Sequence, residues 1–176
     1  MRALLIVLML SLVGFTHADA AMADETTKPK RKHKAKPPSE IIDGLWQGPR
    51  LKHGDYSEDY EVIVFGADEW QPKAKFYPGS EAVYARLSDI PKPTAKSFDE
   101  AVEAASEVAD AIHEGKTVLV TCGQGYNRSG LVTALALIML GYDTEEAITL
   151  IRERRGKSAL RNKAFLKFVR AFVPEP

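Results

Sequence analysis

Cysteine is almost missing from this chain of 176 residues: Cys122 is the only one. A single thiol excludes an intramolecular disulfide, so the folded part must hold together by its core alone. No cysteine lies near the N-terminus, which excludes a lipoprotein anchor. The four histidines, His53 and His113 among them, show no ligand-like spacing, so neither a metal site nor a cofactor is expected. No apolar run reaches the roughly 20 residues that a spanning helix needs. Internal repeats are absent, and so is net charge, with 24 basic residues against 24 acidic ones.

That balance hides an uneven distribution. Lys28, Lys30, Arg31, Lys32, Lys34 and Lys36 place six cations within nine positions, whereas from Pro37 onward 17 basic residues face 21 acidic ones. A basic arm therefore precedes a mildly acidic domain. Upstream, Arg2 leads an apolar stretch over 3–15 broken only by Ser11 and Gly14, and Ala18, Asp19 and Ala20 offer small residues for cleavage. Residues 1–20 read as a signal peptide, with the mature protein exported to a periplasm or secreted; an uncleaved N-terminal membrane anchor is the alternative. Residues 21–39 combine like charges with proline and little to bury, the pattern of a disordered linker. The arm either contacts an anionic surface through its cations or serves as a soluble spacer. No specific nucleic-acid recognition is expected.

Residues 40–176 are long enough for one domain with a sizeable core. Strands are expected over 44–48, 61–66, 82–87 and, as a nearly continuous apolar run suited to the centre of a sheet, 116–121. Ser97 and Glu100 have the spacing of a capping box, and Phe98, Ala101, Val102, Ala105, Val108, Ala109 and Ile112 then keep helical spacing up to Gly115. Three further helices are expected: one over 129–140, apolar almost all round; one capped by Asp143 or Thr144 and running to Arg154; and one capped by Asn162. Alternating strands and helices with a helical C-terminus argue a single-domain α/β fold, a twisted central sheet flanked by helices.

The chemistry is concentrated in Cys122, Gly123, Gln124, Gly125, Tyr126, Asn127, Arg128 and Ser129, between the central strand and the buried helix. A thiolate is the nucleophilic form of cysteine, favoured near a helix N-terminus and cations. Successive N–H groups of such a loop can form an anion nest, with Gly123 and Gly125 admitting conformations that side chains obstruct. The fork of Arg128 suits two phosphoryl oxygens, and Ser129 can donate to the sulfur. These parts suit metal-free hydrolysis of a phosphate monoester through a phosphocysteine intermediate. A departing oxygen needs a proton, for which Asp89, in the proline-rich loop after the third strand, is the candidate general acid and Asp68 the fallback. Arg152, Arg154, Arg155, Lys157, Arg161 and Lys163 are either a positive rim that steers phosphorylated substrates or a solvated face.

Residues 122–129 match the signature of the cysteine-based protein tyrosine phosphatases, and the chain over 41–173 resembles their compact dual-specificity branch. The opening strand with Leu45, Trp46 and Gln47, Asp89 33 residues before the cysteine, and Arg154, Arg155, Asn162 and Phe165 near the C-terminus carry the likeness. By it, Cys122 would be the nucleophile, Arg128 the phosphate binder, Ser129 support for the thiolate, and Asp89 acid and then base. Two features depart from the family pattern: Thr121 stands where a histidine usually precedes the cysteine, and Gln124, Tyr126 and Asn127 are bulkier than the small residues common there. Tyr126 is expected to cover the pocket or stack on a substrate ring.

The implied activity is that of a protein-tyrosine or dual-specificity phosphatase, a monomer acting on phosphorylated protein or another phosphate monoester. Lipid or polyphosphate hydrolysis, a rhodanese-like sulfur transfer, and a pseudophosphatase that only binds phospho-ligands are the alternatives. The Arg128-Ser129 pair argues against sulfur transfer, and the lack of lysine within the loop argues against polyphosphorylated inositol lipids.

Overall fold

The computed structural model of the chain describes residues 36–52 and 59–174; the expected signal peptide and most of the basic arm lie outside the described residues. The described residues fall within one compact unit. Its sheet has five strands: β1 (Ser39–Ile42), β2 (Leu45–Pro49), β3 (Val62–Phe65), β4 (Glu81–Tyr84) and β5 (Val118–Cys122), in the order β1-β2-β5-β3-β4. All pairs are parallel except β1 with β2. Four helices follow from the second half of the chain: α1 (Ala95–His113), α2 (Arg128–Met139), α3 (Thr144–Arg155) and α4 (Lys163–Ala171).

Strand alternation sorts the side chains into two layers. Val62, Val64, Val118 and Val120 join the apolar faces of all four helices in the larger core. Ile63, Phe65 and Leu119 point to the other face, where Leu51, Tyr60 and Tyr77 cover them, with Trp46 and Trp70 at the margin. The second face is thus closed by aromatic side chains rather than by helices. α2 is buried on every side from Ser129 to Ile138, as its all-round apolar sequence requires. Each of its leucines removed from water contributes about 1.5–3 kcal/mol.

Two expectations need correction. Residues 36–39, assigned to the linker, belong to the fold: Ser39 opens β1, which hairpins into β2 through Asp43 and Gly44, the latter at φ +75°. The cap of α1 is Thr94, whose hydroxyl accepts from the Ser97 N–H at 3.2 Å. Ser97 lies inside the helix, and Glu100 accepts from the Arg86 N–H instead of completing a capping box. Thr94 and Ser97 both carry a hydroxyl and stand about one helical turn apart, so the sequence alone does not distinguish the cap.

β2, β3, β4 and β5 run parallel, so their C-terminal ends share one edge of the sheet. Cys122 ends β5 there, and the segments leaving β2, β3 and β4 carry Arg50, Glu69 and Asp89. A crevice at the carboxyl ends of parallel strands is where α/β folds bind ligands.

Candidate active site

Cys122 ends β5, and Arg128 begins α2 six residues further on. The loop between them is held from outside by its carbonyls. Gly123 accepts from the Arg50 N–H at 3.5 Å, Gln124 from Arg155 Nη2 at 3.2 Å, and Gly125 from Arg155 Nε at 2.8 Å and Gln47 Nε2 at 3.1 Å. Tyr126 accepts from the Leu160 N–H at 3.1 Å and Asn127 from the Leu131 N–H at 2.8 Å. In a trans peptide the N–H points opposite to the C=O. Carbonyls turned outward therefore turn the N–H groups of residues 124–127 inward, and the Gly125 N–H indeed reaches Cys122 Sγ at 3.3 Å. Ser129 Oγ, fully buried, lies 3.4 Å from the same sulfur.

The glycines are fixed by contact and conformation. Gly125 adopts φ +73°, and a Cβ there would lie 2.3 Å from the Gly48 carbonyl carbon. A Cβ on Gly123 would meet Arg128 Nη2 at 2.9 Å. The loop passes flush against β2 at one glycine and against the guanidinium at the other.

Arg128 is oriented by a residue that sequence reasoning missed. Glu69 takes both terminal nitrogens, Nη2 to Oε1 at 2.8 Å and Nη1 to Oε2, and Leu87 O accepts from Nη1 at 3.3 Å. Nε of Arg128 is buried and without a protein partner. Burial alone would lower the pKa of Arg128, but the hydrogen bond to Glu69 and the charges of Cys122, Glu69 and Asp89 outweigh it and leave it raised. Glu69 is held below the usual carboxylate range, chiefly by the hydrogen bond from Arg128. Its one sequence signal is an acidic residue just past a strand; that β3 neighbours β5 is not legible locally.

Asp89 lies at the rim, where Oδ2 accepts from Asn127 Nδ2 and Oδ1 from Asn162 Nδ2, each at 2.8 Å. Asn127 Oδ1 in turn accepts from the N–H groups of Arg161 and Asn162, at 2.9 and 3.2 Å. Asn162, as expected, also caps α4. Asp89 is thereby tied to the loop residue beside Arg128; Asp68 is exposed, its N–H bonded to Leu87 O. A cavity of about 420 Å³ opens beside Asp89, walled by Ile90, Pro91, Asn127, Arg161 and Lys163.

The six-residue basic rim does not survive intact. Arg155 is 1% exposed, and Arg152 donates to the carbonyls of Ala159 and Leu160. Arg154, Lys157, Arg161 and Lys163 remain exposed. The ring of Tyr126 packs on the helical core, its centroid 5.1 Å from the Arg155 guanidinium carbon. Thr121, in the place of the usual histidine, is fully buried and donates to Val64 O at 2.8 Å, which fastens β5 to β3 just before the cysteine. Among the described residues no group of three or more His, Cys, Asp or Glu gathers to hold a metal.

Residues 74–173 match the family model for the dual specificity phosphatase catalytic domain. Solved structures share the fold. Human DUSP28 is similar with a TM-score of 0.67 at 18% identity, over 77% of this chain and 92% of its own. Tk-PTP in its active form has a TM-score of 0.64 at 20% identity, over 77% and 97%. A mouse putative dual specificity phosphatase complexed with zinc tungstate has a TM-score of 0.67 at 18% identity, over 80% and 88%. No curated protein matches by sequence.

Proposed function

The chain belongs to the dual specificity phosphatase family and is a cysteine-dependent protein phosphatase, and from that premise we propose the part each residue plays. Cys122 attacks phosphorus as the thiolate, the S–P bond forms, and the ester P–O bond breaks. Asp89 gives its proton to the departing oxygen. Water then attacks the phosphocysteine, Asp89 takes a proton from it, and the S–P bond breaks to release inorganic phosphate and restore the thiolate.

The N–H groups of residues 124–127 receive the equatorial oxygens, and Arg128 offers Nε together with the second hydrogen of Nη2. Ser129 donates to the sulfur and makes it a better leaving group in the second step. The observation that carries this reading is the position of Cys122 Sγ, 3.3 Å from the Gly125 N–H and 3.4 Å from Ser129 Oγ, beneath a loop whose carbonyls all face away.

Phosphotyrosine is the preferred substrate residue. The exposed Arg161 and Lys163 favour acidic flanking residues. The N-terminal pattern, Arg2 followed by an apolar stretch, supports export, and the protein acts as a monomer with its basic arm in contact with an anionic surface.

Hydrolysis of an aryl phosphate by reduced protein, compared with Cys122→Ser in the presence of a chelator, tests the assignment. Turnover that persists with chelator and vanishes in the variant supports it. Undiminished turnover by the variant would remove Cys122 from the mechanism, and oxyanion binding without turnover by the wild type would favour a pseudophosphatase.

A further inference from the structure

Among the described residues, Arg155 is the largest fully buried side chain. A buried cation ordinarily has a carboxylate partner. All the hydrogen bonds seen for this one go to neutral oxygens, on two sides. Nε and Nη2 bind the carbonyls of Gly125 and Gln124, at 2.8 and 3.2 Å. Nη2 also binds Lys36 O at 3.0 Å, and Nη1 binds Pro37 O and, at 3.4 Å, Ser39 Oγ. Burial pulls the pKa of Arg155 below its ordinary value, opposed by the charges of Tyr126 and Cys122. Its positive charge thus sits behind the phosphate loop, within electrostatic reach of the sulfur.

The two loop carbonyls that Arg155 holds belong to the peptides whose N–H groups are those of Gly125 and Tyr126. A peptide that flips would turn an oxygen, instead of a donor, toward a bound anion. A second contact couples the same two regions. Pro38 packs so closely on Gly48 that a Cβ there would lie 2.9 Å from Pro38 Cγ, and Gly125 presses on the Gly48 backbone. Lys36 Nζ also donates to the carbonyls of Arg154 and Arg155, at 3.1 and 3.4 Å, which closes the C-terminal end of α3.

We propose that Arg155 is a positioning residue that locks the phosphate loop carbonyl-outward, and that residues 36–39, through which the basic arm enters the fold, form the other jaw of that lock. The entry segment is then part of the catalytic scaffold, and disturbing it alters the loop without touching Cys122 or Arg128. This inference rests on the proposed phosphate site and adds to it a dependence on the N-terminal junction.

The test uses the full chain with Arg155→Lys, Arg155→Met and the double change Pro37→Gly/Pro38→Gly. Readouts are the orthovanadate dissociation constant, kcat and KM for an aryl phosphate, and a thermal melt. Arg155→Met is expected to weaken vanadate binding about tenfold, the equivalent of one charged hydrogen bond. kcat should fall more than KM rises, because inward donors act most on the transition state. Lysine should restore only part of the loss, since an ammonium lacks the planar fork. The proline variant is expected to weaken vanadate binding by roughly threefold, and to add nothing further when combined with Arg155→Met.

Variants that melt cooperatively and bind vanadate as the wild type does, even at a lower Tm, would overturn the inference. So would full additivity of the Arg155 and proline changes. If Arg155→Met fails to fold, Arg155→Lys and the proline variant decide by the same criteria. A wild type that binds no vanadate would instead overturn the phosphate site itself.

Discussion

Glu69 and Arg128 meet through both terminal nitrogens of the guanidinium, while Nε, on the edge away from Glu69, stays buried and unpartnered. The carboxylate therefore aims the arginine and leaves it a free donor for an incoming oxyanion. Replacing Glu69 by alanine should free the guanidinium and lower kcat/KM about tenfold, a moderate effect because half of the Glu69 side chain is exposed to solvent. A rise in oxyanion affinity would show instead that Glu69 competes with the ligand.

The same pair predicts a pH dependence of stability. Arg128 depresses the folded-state pKa of Glu69, so the contribution is present above the unfolded value of about 4.3 and is lost as pH falls through the lower folded value. The stability difference between wild type and Glu69→Gln should be level at neutral pH and shrink only in acid. Urea titrations across pH 3 to 7 measure it, and a difference that shrinks on the alkaline side would contradict the assignment.

Gly125→Ala should be severe. The residue needs φ +73°, and a methyl group there would collide with the backbone of Gly48 and Pro49. A cost of about 2 kcal/mol or more is expected in denaturant unfolding, with loss of vanadate binding. A variant of unchanged stability that still binds would mean the loop does not need this close approach.

The loop could be read from the sequence because its parts are contiguous: a strand, a thiol, two glycines, an arginine and a helix. What orients it could not. Glu69 lies 59 residues from Arg128 and Gln47 lies 78 from Gly125, and their meeting depends on β2 and β3 both lying beside β5. The burial of Arg155 is illegible in the sequence for a related reason. Next to exposed cations it has the same one-dimensional signature as they do, and only the entering chain above it and the loop beside it explain its burial. The helices followed their apolar spacing closely. The missed strand β1 is four residues long, begins with Ser39 and Glu40, and exists by pairing with β2.

Asp89→Asn should slow poor leaving groups far more than activated aryl phosphates, because only the former need a proton. Asn127→Ala should produce a weaker form of the same pattern by releasing one of the two bonds that hold Asp89. A series of substituted phenyl phosphates measures this. Equal slowing across the series would remove Asp89 from the role of acid.

Thr121→Val should cost about 1 kcal/mol in stability by removing the bond to Val64 O, with little change in the leaving-group profile. A large, selective loss of turnover with stability unchanged would instead mean that the hydroxyl acts on Cys122.

The most direct test of the mechanism is to trap the intermediate. The Asp89→Asn variant, mixed with an activated aryl phosphate and quenched in acid within the first turnovers, should show one added phosphoryl group on the peptide that contains Cys122. The adduct should be absent in Cys122→Ser. Product release without any phosphorylated cysteine, or a phosphoryl group found on another residue, would contradict a phosphocysteine route at this site.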